Sequence, residues 1–205
     1  MKFKIAVVQF EVGNYQINRN LKKAENFISL ASKQGAKIIV FPEDFISGPI
    51  RKRQDLADDG SYRNFFIELA RRYKIDIVPG SIVEKDKKNL YNTTYYINSE
   101  GKIKGKYRKI HLWHPERNYM KAGKNVCVFY TKYGRIGLII CWDLAFPEIF
   151  REMIKKNAKI IICPSYWCYG DAGKGIKYNK NCEIDFVNSL CITRAFENNI
   201  ILVYS

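Results

Sequence analysis

Six short apolar runs, one of them interrupted by Asp76, limit what this chain can become. They lie at residues 5–8, 38–41, 75–78, 136–140, 160–163 and 200–203. Each is too short for a helix, and too continuous for a strand with one wet face. Such runs are strands covered on both sides, and a sheet of them needs helices or a second sheet against each face. The intervening stretches supply the helices. Leu21, Ala24, Phe27, Ile28 and Ala31 recur at helical spacing before Gly35. Tyr62, Phe65, Phe66, Leu69, Ala70 and Tyr73 do the same before the run at 75–78, which Pro79-Gly80 terminates. Strand, helix and strand in that order predict right-handed parallel crossovers, so the chain up to Gly80 reads as a doubly wound layer.

The middle of the chain follows a different rule. Residues 90–97 and 102–110 are β-rich and joined by Asn98-Ser99-Glu100-Gly101, a turn sequence, which predicts a hairpin. Strand alternation in its second arm puts Lys102, Lys104, Lys106 and Arg108 on one face, and Ile103, Gly105, Tyr107 and Lys109 on the other. Lys109 therefore falls in the apolar phase. A buried ammonium must be paired or neutralised, so this lysine asks for carboxylate partners; a strand-end residue already turned to water is the other reading. Runs at 126–130 and 136–140, around a turn at Tyr133-Gly134, begin a second layer. It continues through the run at 160–163, a glycine-rich loop past Asp171, and a helix striped by Val187, Leu190, Cys191 and Ala195. Arg194 and Glu197 stand three apart on that helix and can pair.

With 205 residues, 47% of them hydrophobic and 27% charged, the chain has enough apolar material for one sizeable core. No apolar stretch is long enough to span a bilayer, and residues 2–9 run into a strand without a signal-peptide pattern. A cytoplasmic, membrane-free protein is expected. Of the cysteines, Cys127, Cys163, Cys182 and Cys191 lie in or beside apolar runs and read as reduced core residues. The net charge of +15 is the footprint of a nucleic-acid binder. The lysines are nevertheless scattered as on solvated faces, and nucleic-acid or phosphate binding by the denser cluster at 102–124 is kept as a lesser alternative. His111 and His114 have no C-x-x-C pair beside them, and Cys163 and Cys168 have the wrong spacing for a zinc ribbon. No metal and no cofactor are expected.

Residues 137–148, G-L-I-I-C-W-D-L-A-F-P-E, organise the second layer. The apolar run is a buried strand, and Pro147-Glu148 is the first turn of a helix that buries Ile149, Phe150, Met153 and Ile154. Cys141 sits between them. In open α/β sheets chemistry collects outside the carboxyl ends of strands, so a thiol there is a candidate nucleophile. A buried packing cysteine is the competing reading.

Four stretches carry a resemblance: F-P-E-D at 41–44, Y-R-K-I-H-L at 107–112, the 137–148 segment, and R-A-F-E-N at 194–198, with C-P-S-Y-W at 163–167 as a further strand-end signature. Together they resemble the nitrilase superfamily of carbon–nitrogen hydrolases over the whole chain. The resemblance implies an α/β fold: a four-layer α-β-β-α sandwich of two mixed sheets, as a single domain over 1–205 with halves at about 1–110 and 111–205. Family domains continue for several tens of residues past R-A-x-E-N, so a C-terminally shortened domain is expected, with the strand at 200–203 left as an apolar edge. By the same resemblance Cys141 is the nucleophile, Glu43 the general base, Lys109 the oxyanion stabiliser with the Trp142 backbone N–H, and Glu116 the second glutamate. A thiol is mostly protonated at neutral pH, so a base and a cation beside it are what a cysteine hydrolase needs. The implied substrate is an amide-type small molecule and the implied assembly a homodimer or larger homo-oligomer. Trp113, Tyr119, Phe146, Tyr166 and Trp167 are candidates for the pocket wall. A weakly active relative that serves as a partner subunit is the main alternative.

Overall fold

The computed structural model describes residues 2–205. In chain order it contains β1 Ile5–Val7, α1 Ile17–Lys33, β2 Ile38–Val40, α2 Ser61–Tyr73, β3 Asp76–Val78, β4 Ile82–Asp86, β5 Asn89–Ile97 and β6 Ile103–Arg108. The second half follows with β7 Cys127–Thr131, β8 Gly134–Leu138, α3 Pro147–Lys155, β9 Ile160–Cys163, α4 Cys182–Asn198 and β10 Ile201–Tyr204.

The strands form two sheets. In the first, β1, β2 and β3 are parallel neighbours. Long β5 then takes β3 and β4 along one edge, through Ile77 opposite Ile97 and Ile82 opposite Thr93, and β6 along its other edge. The β5–β6 hairpin turns at 98–101 as its residues predict, with the Gly101 N–H on the Asn98 carbonyl at 2.7 Å. The second sheet runs β10-β9-β8-β7, parallel except for β7. Strand β4 is the element that sequence reading does not provide. Its first two residues are buried, but Glu84-Lys85-Asp86 breaks the apolar pattern, because those side chains receive the basic face of β6.

Alternation along each strand shows why there are four layers. On β2, Ile38 and Val40 face Ile136, Leu138, Ile160 and Ile162 of the second sheet in one core, whereas Ile39 packs with Ala24 and Ile28 of α1 and Phe66 of α2 in another. Met153 and Phe150 of α3 close the far side of the second sheet. Each fully buried Ile, Val or Leu contributes about 1.5–3 kcal/mol, so a strand buried on both faces has nowhere more favourable to go. The sheets approach closely at Gly105: a Cβ there would lie 2.3 Å from the Phe129 ring of β7.

Three expectations need correction. Ile103, placed by alternation on the buried face, is 41% exposed, because it sits at the frayed start of β6. Of the cysteines read as core, Cys163 is buried but Cys127, Cys182 and Cys191 are only half-buried. The Val187, Leu190, Cys191 and Ala195 stripe is partly covered, and the buried positions of α4 are Arg194 and Asn198.

Candidate active site

The strands that matter end on one side of the sandwich. Beyond β2 the chain turns through Phe41-Pro42-Glu43, and beyond β6 it delivers Lys109 and the 116–118 turn. Beyond β8 it delivers Cys141 at the head of a short 3-10 turn, Cys141–Ala145. The loops of the two sheets interlock there: Glu43 N–H reaches the Ser165 carbonyl at 3.3 Å and Cys141 N–H the Pro164 carbonyl at 2.9 Å. The turn carrying Glu43 backs onto Gly80, where φ is +60° and a Cβ would come within 1.9 Å of the Pro42 carbonyl oxygen. Only glycine fits that approach.

Lys109, Glu43 and Glu116 meet in one buried cluster. The Lys109 ammonium lies 2.8 Å from Glu43 Oε1 and 2.9 Å from Glu116 Oε2, with its side chain 1% exposed. Asn92 Nδ2 donates to both carboxylates, at 2.8 Å to Glu43 and 2.6 Å to Glu116. Backbone N–H groups complete the cradle: Tyr166 donates to Glu43 Oε2 at 3.0 Å, and Trp113 to Glu116 Oε2 at 2.6 Å. The alternation that puts Lys109 in phase with Gly105 and Tyr107 holds, since all three are buried.

Charge and burial set the resting protonation. Burial raises the Cys141 thiol well above its ordinary range; the Glu43 charge adds to that, and Lys109 opposes it. The net direction favours the protonated thiol. Burial works against the Lys109 charge, but Glu43, Cys141 and Glu116 outweigh it and hold its pKa well above normal. Burial also pushes Glu116 upward, against the pull of Lys109.

Cys141 has φ +46°, a left-handed conformation uncommon outside glycine. Strained backbone of this kind persists only where its surroundings over-determine it. Asp143 does much of that work. It is fully buried, and its carboxylate accepts from Ile140 N–H at 3.0 Å, Tyr107 O–H at 2.7 Å and His111 N–H at 2.9 Å, with His111 Nδ1 at 2.8 Å. One side chain thus ties the Cys141 turn to the segment flanking Lys109. Arg194 supports the far end of the turn, donating to the Leu144 carbonyl at 3.1 Å and the Ala145 carbonyl at 3.3 Å while pairing with Glu197 at 3.2 Å.

A cavity of about 220 Å³ opens beside these groups, lined by Glu43, Lys109, Glu116 and Cys141. Trp113, Trp142, Tyr119, Tyr166 and Trp167 form its aromatic wall. The Trp142 ring packs against Trp113 at 4.7 Å and Trp167 at 5.4 Å. Phe146 is not part of the wall: its ring is stacked on His111 at 3.8 Å, where it backs the Asp143 network. Sequence reading did not find Asn92 or Asp143. A signal existed for Asn92, which is in phase with Thr94 and Tyr96 on the face of β5 turned toward the second sheet. An amide in that phase needs polar company. Asp143 carries no such signal, because its partners come from residues 107, 111 and 140.

The fold is thus a four-layer α/β sandwich with a cysteine, two glutamates and a lysine gathered around one cavity at its strand ends. The chain belongs to the carbon–nitrogen hydrolase family, whose sequence profile matches residues 4–203. It is a carbon–nitrogen hydrolase of the amidase and nitrilase kind. It is 32% identical to the 2-oxoglutaramate amidase of Bacillus subtilis, over 97% of this chain and 73% of that one. It is 30% identical to a probable nitrilase of Schizosaccharomyces pombe, over 99% of this chain and 74% of the relative. Among solved structures, Saccharomyces cerevisiae Nit3, a member of branch 10 of the nitrilase superfamily, superimposes with a TM-score of 0.81 at 30% identity, covering 98% of this chain and 75% of that one. The match to a citrullinase of Francisella tularensis, at 37% identity, covers 79% of this chain and 60% of that one.

Proposed function

We propose that this chain hydrolyses small amides through a thioester on Cys141. In the proposed sequence Glu43 takes the thiol proton as sulfur attacks the amide carbon. The oxygen that gains negative charge is met by the Lys109 ammonium and the Trp142 N–H. The carbon–nitrogen bond then breaks, and ammonia or an amine leaves with the proton held by Glu43. Water enters, gives a proton to Glu43 and attacks the thioester carbon; the thiolate leaves, recovers its proton, and the carboxylic acid departs. Glu116 touches Lys109 rather than substrate in this scheme and keeps the ammonium in place.

One observation carries the reading. A lysine 2.8 Å from one buried glutamate and 2.9 Å from another lines the same cavity as a buried cysteine. The raised thiol pKa fits it, because Glu43 receives the proton only as attack begins, when Lys109 can stabilise the product charges. The test is Cys141→Ala against a panel of short aliphatic amides, with ammonia release and mass spectrometry of thiol labelling as readouts. Loss of both is expected; unchanged ammonia release ends the proposal. A homodimer or larger homo-oligomer belongs to the same reading, supported by Ile192 and Phe196 of α4, which are 69% and 88% exposed. So does a cytoplasmic location, supported by six free cysteines. Among the described residues no helix is long and apolar enough to cross a membrane.

A further inference from the structure

The inner part of the cavity holds more carboxylates than cations. Glu43, Asp44 and Glu116 line it with Lys109, whose ammonium is already engaged by the two glutamates. The proposed chemistry makes no use of Asp44. That residue is 8% exposed and lines the cavity, yet its Oδ1 has no hydrogen-bond partner among the protein groups. Its φ of +53° is the second left-handed non-glycine conformation at this site. Two consecutive acidic residues, Glu43 and Asp44, thus line one cavity.

The surroundings of Asp44 are unfavourable to an unpaired charge. Burial, then Glu43 and Glu116, push its pKa well above the usual carboxylate range, against smaller contributions from Lys109 and from a hydrogen bond with Ser81. A buried carboxyl in that position is stabilised by a positive partner that arrives with a ligand. At the rim, Arg51 and Asp171 are both exposed and of opposite sign, so they do not reverse the balance within. Among the described residues no three His, Cys, Asp or Glu side chains are gathered closely enough to hold a metal ion. The cation that fits is therefore an organic one.

We infer that Asp44 is a specificity-determining residue that receives an ammonium group carried by the substrate, so that the preferred substrates are small amino-substituted amides. The inference rests on the reading of Cys141 as the nucleophile, because it fixes the amide at Cys141 and leaves Asp44, on the wall of the same cavity, to the rest of the substrate. An entering ammonium brings positive charge beside mutually repelling carboxylates, and it forms a charge-assisted hydrogen bond with Asp44 as that carboxyl releases its proton. A substrate carboxylate would meet the same groups with the wrong sign.

The experiment compares 5-aminopentanamide, neutral pentanamide and anionic glutaric acid monoamide. Calorimetric Kd values are measured on the Cys141→Ala protein, and kcat/KM on the unsubstituted protein. The amino amide is expected to bind at least about ten-fold tighter than pentanamide, and Asp44→Asn in the Cys141→Ala background is expected to weaken it by about thirty-fold or more. Equal or tighter binding of the neutral or anionic amide overturns the inference, and so does a preference that survives Asp44→Asn. If Asp44→Asn does not fold, the ranking of the three ligands on the Cys141→Ala protein decides the matter, with Asp44→Glu as the second variant. The two readings fail separately. Hydrolysis of pentanamide without preference for the amino amide removes the Asp44 subsite alone, whereas selective binding with unimpaired hydrolysis by Cys141→Ala removes the nucleophile alone.

Discussion

Replacing Asp143 tests whether the nucleophile turn and the Lys109 segment are held by one side chain. In Asp143→Ala the Ile140 N–H and the Tyr107 hydroxyl, now bonded at 3.0 and 2.7 Å, lose their acceptor in a fully buried site. Each stranded buried donor costs about 1–3 kcal/mol, and the half-buried His111 groups can turn to water, so a loss of about 3–5 kcal/mol is expected. That is a large share of the roughly 5–15 kcal/mol that holds a domain folded. Asp143→Asn is gentler. It keeps Oδ1 as an acceptor for His111 but sets an amide NH2 against both donors that share Oδ2; the Tyr107 hydroxyl can rotate to accept, whereas the Ile140 N–H cannot. About 1–3 kcal/mol follows. Urea unfolding monitored by tryptophan fluorescence measures both, and turnover by the folded Asn variant should fall by about a hundred-fold if the Cys141 turn shifts by roughly 1 Å. Stability of both variants within about 0.5 kcal/mol of the parent would refute the reasoning, since that is the scatter of surface substitutions that touch nothing.

Three further outcomes follow from the same cluster. Lys109→Met leaves Glu43 and Glu116 facing each other without their shared cation, so about 3–5 kcal/mol of stability is lost in urea unfolding, and adding Glu116→Gln should restore part of it. Glu43→Gln removes a charge that raises the Cys141 pKa while Lys109 remains, so iodoacetamide should label Cys141 faster at pH 7 although turnover is lost; slower labelling would contradict the assigned electrostatics. Cys141 and Lys109 both hold protons more tightly folded than at their ordinary values of 9.0 and 10.5, so their contribution to stability is intact below about pH 9 and declines as pH rises beyond it. Melting temperatures recorded from pH 8 to 11 should fall, less steeply in Cys141→Ala.

What could be read in the sequence was what short-range rules govern. Apolar runs marked doubly covered strands because burial on both faces leaves little room for a polar residue, Asp76 excepted, and strand alternation put Lys109 among buried neighbours. Strand β4 escaped because its Glu84 and Asp86 exist to meet Lys106 and Arg108 across the sheet, a pairing that reads as an exposed loop until the register is known. Phe146 was misplaced for a related reason. An aromatic beside a nucleophile fits a pocket wall equally well by sequence, and only its stacking on His111 decides otherwise. Asp143 and the carbonyl contacts of Arg194 depend on residues up to 50 positions away, which no local pattern encodes, and the phase of Asn92 marks it as covered without naming the carboxylates it meets.

The same logic resolves the chain's charge. A net +15 suggests acidic partners, but that total governs approach from a distance and is screened over about 8 Å at physiological salt. Within the fold half of the densest basic stretch, residues 102–124, is already paired. Lys102 pairs with Glu100, Lys106 with Glu84, Arg108 with both Glu84 and Asp86, and Lys109 with Glu43 and Glu116. The cavity is lined by Glu43, Asp44 and Glu116 around the engaged Lys109 ammonium, with exposed Arg51 and Asp171 of opposite sign, so acidic residues outnumber basic ones there. Charge counted along a chain describes how molecules arrive; charge placed at strand ends decides which of them fit.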